Sequence, residues 1–142
     1  MRNNFGMLLK IACTQMVKRF DAFAHEYGLT STQMSVIDFL SHRQDVETFQ
    51  KDIEEEFYIQ KSTASVLLKR MEKHNLILRT ASSKDSRKKQ VTLTNNAMAL
   101  QKVISDYMND TQIAFEKHFS DEEIKLLNRS MHKLIKFEKG KL

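Results

Sequence analysis

Nine basic side chains fall between positions 61 and 89: Lys61, Lys69, Arg70, Lys73, Arg79, Lys84, Arg87, Lys88 and Lys89. Only Glu72 and Asp85 oppose them, so this window carries +7 while the whole chain carries +5 and the remainder sums to −2. Cations concentrated in this way suit a polyanion, because each one that meets a phosphate releases condensed counterions. Charge alone fits a merely solvated surface about as well. The small polar residues Ser62, Thr63 and Ser65 stand at one end of the window, and Asp85 and Arg87 stand two apart near the other.

Other chemistries lack their parts. There is no Gly-rich phosphate loop and no nucleophile elbow, so the chain is not expected to be an enzyme. Cys13 is the single cysteine, which excludes an intramolecular disulfide and a zinc site built mainly from cysteines. His25, His42, His74, His118 and His132 do not pair at metal-binding spacing on one helix, so no metal and no cofactor is expected. The first apolar run, Phe5 to Leu9, contains Gly6 and ends at Lys10. It is too short for a secretion signal, and no run approaches membrane-span length, which predicts a cytoplasmic protein.

The elements that would position the cations can be read from periodicity. With no Pro and only 3 Gly in 142 residues, long helices are favoured over a turn-rich β fold. Phe5, Leu8, Leu9, Ala12, Met16, Phe20, Phe23 and Tyr27 recur at spacings mostly of three and four, which predicts a helix ended by Gly28. Thr30 and Gln33 form a capping box for a second helix reaching about His42, with Val36, Ile37 and Leu40 inward. A loop follows from about Arg43 to Thr48. A short helix from Phe49 to Phe57 has Phe49, Ile53 and Phe57 on its buried edge and Asp52, Glu54, Glu55 and Glu56 elsewhere, so it should not face a polyanion. After a break at Tyr58 to Gln60, Lys61 to His74 reads as a helix with Ala64, Leu67, Leu68 and Met71 inward.

Two short helices joined by about three residues, the second with a small, polar, basic outer face, predict a helix-turn-helix. Leu76 to Arg79 and the alternating Gln90 to Thr94 read as strands flanking a basic tip, Ser82 to Lys89, which makes a wing. Thr94 should cap one long helix, about Asn95 to Phe119. Ser120 and Glu123 should box the last, whose stripe is Ile124, Leu127, Met131, Leu134 and Ile135.

The fold class is therefore mainly α with a small β-wing: a winged helix-turn-helix at 29–94, with helical dimerisation regions at 1–28 and 95–142. The flanks hold more apolar residues than a helix-turn-helix needs, which predicts a homodimer placing two reading helices about 34 Å apart on double-stranded DNA. Protein docking or RNA binding by the winged helix is the alternative.

The order of elements and several short motifs resemble the MarR family of bacterial transcription regulators. The residues that carry the resemblance are Leu29-Thr30-Ser31-Thr32-Gln33, Lys61-Ser62-Thr63-Ala64-Ser65 with Leu68, Met71 and Glu72, Leu76-Ile77-Leu78-Arg79, and Asp85-Ser86-Arg87 followed by Val91-Thr92-Leu93-Thr94. The resemblance covers nearly the whole chain. It implies a homodimer on a palindromic operator, usually a repressor released by a small ligand or oxidant. Arg87 would enter the minor groove and Asp85 would brace the wing. Ser62, Thr63, Ser65 and Lys69 would face the major groove, with Lys61, Arg70, Lys84, Lys88 and Lys89 completing the DNA-binding set. Ala97 stands where family members often carry Gly.

The signal that would release the DNA is less legible. Cys13 borders the first helix's apolar stripe and reads as a buried structural thiol rather than a redox switch. Met16, Phe20, Met34, Phe39 and Tyr107 could line a pocket for an aromatic ligand, although residues at such spacing more often form plain core.

Overall fold

A computed structural model describes residues 4–140. It divides into two compact units, one running through Ile104 and one from Ser105 onward.

The first unit opens with α1 (Phe5–His25) and α2 (Ser31–Ser41). Gly28, at φ 71°, supplies the left-handed turn between them, where a side chain would be strained. The capping box closes as the sequence requires: the Gln33 amide donates to Thr30 Oγ1 at 3.1 Å, and the Thr30 amide donates to Gln33 Oε1 at 3.1 Å. The Asp21 carboxylate of α1 adds a bond from the Ser31 amide at 2.9 Å, which satisfies another free N–H at the start of α2.

α3 (Gln50–Phe57) and α4 (Lys61–Lys73) form the helix-turn-helix. At the start of α3, Asp52 reaches back to accept the Phe49 amide at 2.8 Å. Tyr58, at φ 52°, ends α3 in the left-handed region without a glycine, and Asn75, at φ 59°, does the same after α4. Met34, Val36 and Ile37 of α2, Ile53 of α3, and Ala64, Leu68 and Met71 of α4 have no exposed surface. They form one core beneath the two helices, completed by Leu76, Ile77 and Val91.

β1 (Ile77–Ala81) pairs antiparallel with β2 (Lys89–Leu93), Arg79 opposite Val91. The sheet gains a partial third edge that the sequence did not announce: Phe49 bridges Gln90, and the Val91 amide donates to the Thr48 carbonyl at 2.7 Å. Thr94 joins both ends of the wing. Its hydroxyl donates to the Asn75 carbonyl at 2.7 Å and accepts the Ala97 amide at 3.2 Å.

The single helix expected from Asn95 to Phe119 is instead two, α5 (Asn95–Met98) and α6 (Gln101–His118). The cause is local: the Leu100 amide bonds the Ala97 carbonyl three residues back, a tightened turn that interrupts the four-residue ladder. Ala97 is fully buried.

The second unit holds the rest of α6 and α7 (Asp121–Lys139). The Ser120 and Glu123 box forms, and its bonds from Ser120 hold the Glu123 carboxyl below its ordinary range. No residue of α7 is buried, and Leu126, Leu127, Ile135 and Phe137 are exposed. Phe5, Met7, Leu8, Ile11, Met16 and Val17 of α1 are exposed as well.

Cys13 departs from expectation. It is exposed rather than buried, because its neighbours on the α1 stripe, Met16 and Val17, are themselves uncovered within the chain.

Candidate nucleic-acid interface

The reading helix is oriented by what it buries. Ala64, Leu68 and Met71 turn one side of α4 into the core, and Ser62, Val66, Lys69 and Lys73 recur at i, i+4, i+7 and i+11 on the opposite side. Ser62, Thr63, Lys69 and Arg70 are exposed, as is Lys61 at the N-terminus. Ser65 is not free in the same way. It is half-buried, and its hydroxyl accepts from Gln50 Nε2 at 3.0 Å. Gln50 also donates to Glu54 at 3.2 Å, so this amide ties α4 to α3.

The wing tip is built by two carboxylates. Asp85 accepts from the Arg87 amide at 3.1 Å, from Arg87 Nε at 3.2 Å and from Arg87 Nη2 at 3.3 Å. The Arg87 side chain, followed by its amide, holds the Asp85 carboxyl below its ordinary range. The second carboxylate, Glu47, lies before α3, in the segment whose sequence predicts a loop. It accepts from the Ser82 hydroxyl at 2.7 Å and from both the amide and the hydroxyl of Ser83 at 2.8 Å. The Ser82 hydroxyl, then the Ser83 groups, push its pKa down. No sequence signal marks Glu47 clearly, because its partners lie 35 and 36 residues away.

These elements bring some of the expected residues together and separate others. Lys61 and Ser65 of α4 share a cleft of about 660 Å³ with Lys88, Lys89 and Arg79. Arg79 also approaches Glu72 of α4, but its Nε stays 3.9 Å away, too far for a hydrogen bond. Lys84, Asp85 and Lys88 surround a second hollow beside Glu47. Lys88 also sits 5.6 Å from the centre of the Phe49 ring. Ser62, Thr63 and Arg70 border a larger cleft of about 1100 Å³, whose other wall is Val17, Asp21 and Thr30 to Gln33.

The aromatic and methionine residues of the expected ligand pocket differ in their surroundings. Met34 is sealed in the core, Met16 is exposed, and Phe39 packs edge-on against Phe57 at 5.8 Å beneath the Arg43 guanidinium. Phe20 is half-buried and lies under the Arg19 guanidinium at 5.4 Å. Tyr107 is half-buried in the second unit. Among the described residues, no group of three or more His, Cys, Asp or Glu side chains could hold a metal ion. Among the described residues, no helix is long and apolar enough to cross a membrane.

Comparison with known proteins gives a consistent answer. A model of the MarR family matches residues 27–88. The chain is 30% identical over 99 residues to the HTH-type transcriptional regulator SarZ of Staphylococcus epidermidis, a match spanning 70% of this chain and 66% of that relative. The solved structure of the transcription regulator MarR from Oenococcus oeni PSU-1 is 44% identical, with a TM-score of 0.86 over 94% of this chain and 99% of that one. The fold, at 21% identity, is also that of S. aureus MepR in its DNA complex, with a TM-score of 0.85 over 95% and 98% of the two chains. With identity and coverage at this level over nearly its whole length, the chain belongs to the MarR family of transcription regulators.

Proposed function

We propose that this chain is a homodimeric, sequence-specific DNA-binding regulator. On this reading it is a repressor released by a small ligand, acts in the cytoplasm and has no catalytic activity of its own. The observation that carries the reading is the exposed outer face of α4 with the cleft beside it, which Lys61, Arg79, Lys88 and Lys89 line together with Asp52 and Glu54 near the start of α3. A duplex laid across this surface would set α4 in a major groove and the wing in the adjacent minor groove, with the intervening phosphates at the cleft. Lys61, Ser62, Thr63, Lys69 and Arg70 act in the major groove and on its flanking phosphates. Lys84, Arg87, Lys88 and Lys89 act at the wing, Asp85 holds Arg87, and Ser65 steadies α4 from behind through Gln50.

Dimerisation rests on the helices outside residues 29–94. The exposed apolar side chains of α1 and α7 are what a second copy of the chain would cover.

The test is titration of duplex DNA at increasing salt. A duplex selected from a random library should bind more tightly than unselected duplex, with affinity falling steeply as salt rises. Equal binding of all duplexes at every salt concentration, or affinity indifferent to salt, would refute the assignment. Repeating the titration with phenolic compounds tests ligand release.

A further inference from the structure

Val66 interrupts an otherwise polar and basic face. It lies on α4 almost opposite Ala64, Leu68 and Met71, in line with Ser62 before it and Lys69 and Lys73 after it. Its side chain is 52% exposed. Val66 is therefore not part of the core beneath the helix. It also has a β-branched side chain, which a helix tolerates less well than Ala, Lys or Glu at a solvent-facing position. It borders the cleft that Val17, Ile59 and Leu67 also line, yet half of its surface stays open to solvent, and local helix stability does not favour it there.

Its position along the helix supplies a reason. Residues of the first turns of a reading helix meet base edges, while more distant cations meet phosphates. Val66 stands one turn beyond Ser62, in the N-terminal half of Lys61–Lys73. The major groove presents one apolar group among its hydrogen-bonding edges, the C5-methyl of thymine. A valine can contact that methyl and offers nothing to the donors and acceptors of the other bases.

We infer that Val66 is a specificity-determining residue that reads a thymine methyl in the operator. The inference rests on the DNA-binding assignment above. On this account Ser62 and Thr63 accept or donate hydrogen bonds at neighbouring base edges, and Lys69 and Lys73 fix the helix to the backbone. The valine selects for thymine at one position of each half-site.

The experiment uses the full-length protein and the duplex it selects from a random library. Each thymine is replaced in turn by deoxyuridine, which keeps every hydrogen-bonding atom and removes only the methyl group. Wild-type protein should lose about fourfold in affinity at one thymine per half-site, the worth of one buried methyl group. Val66→Ala should bind the unmodified duplex correspondingly less well and show no further loss at that deoxyuridine. Its affinity for unselected duplex should match wild type, which also verifies that the variant is folded. If wild type and Val66→Ala respond alike at every substituted position, or if no deoxyuridine weakens wild-type binding, the inference is wrong while DNA binding stands. If no duplex is selected at all, the DNA-binding assignment fails and takes this inference with it.

Discussion

The two units of the chain bury their apolar residues in opposite ways. Through Ile104, the apolar faces of α2, α3 and α4 meet beneath the reading helix, and Met34, Ile37, Ile53, Leu68 and Met71 are fully enclosed. From Ser105 onward, α7 presents a regular apolar stripe and buries none of it. α1 shares this character over its N-terminal half. A helix with an uncovered stripe contributes little to its own stability in water, because most helical stability comes from packing an amphipathic face. The first unit's helix-turn-helix core is complete within one chain, whereas α7 and the N-terminal half of α1 leave apolar side chains uncovered, as the proposed dimer requires.

The largest effect should come from the enclosed side. Leu68→Ala removes a fully buried side chain beneath α4 and should cost about 2 to 5 kcal/mol in chemical denaturation. An unchanged unfolding midpoint would mean that this core does not carry the stability of the head. The matching experiment on the open side is the double variant Leu127→Glu, Ile135→Glu. Both side chains are exposed within one chain, so the head should keep its fold while sedimentation moves from dimer to monomer and the uncovered flanking helices lose part of their circular dichroism. A variant that remains dimeric would remove α7 from the interface and break the contrast.

Smaller effects separate the parts of the reading head. Arg87→Ala should cost about 1 to 3 kcal/mol of operator binding, concentrated at particular positions of the site. Lys88→Ala should weaken all duplexes about equally and reduce the salt slope by about 1, as expected for loss of one phosphate contact. Reversed behaviour of the two would exchange their roles. The smallest effect concerns Glu47. Its folded-state pKa is depressed below the ordinary value of 4.5, so its contribution is present above that value and lost as pH falls through the lower, folded value. The protection factor of the Ser83 amide, its exchange rate taken relative to the intrinsic base-catalysed rate at each pH, should therefore fall on acidification, and Glu47→Gln should remove that fall. If the variant keeps the same pH profile, the carboxylate does not hold the wing.

What was legible in the sequence follows the range of the interactions. Thr30 with Gln33, Ser120 with Glu123, and Gly28 as a helix stop each depend on residues a few positions apart, and each forms as its spacing requires. Asp85 and Arg87 were legible for the same reason. Glu47 was not, since nothing local links it to Ser82 and Ser83. The direction of Ser65 was missed because helical spacing places it beside the polar face without revealing Gln50, 15 residues earlier. The break between α5 and α6 arises from one tightened hydrogen bond, with no Pro or Gly to mark it. Cys13 is exposed within one chain because an apolar stripe predicts burial without saying which molecule provides the cover.

The central claim is a two-fold reader of duplex DNA, and hydroxyl-radical footprinting on the selected duplex tests it most directly. The account predicts two protected half-sites related by inversion, their centres about one helical turn apart or a small multiple of it. A single protected segment without that symmetry, or uniform protection along the duplex, would contradict it.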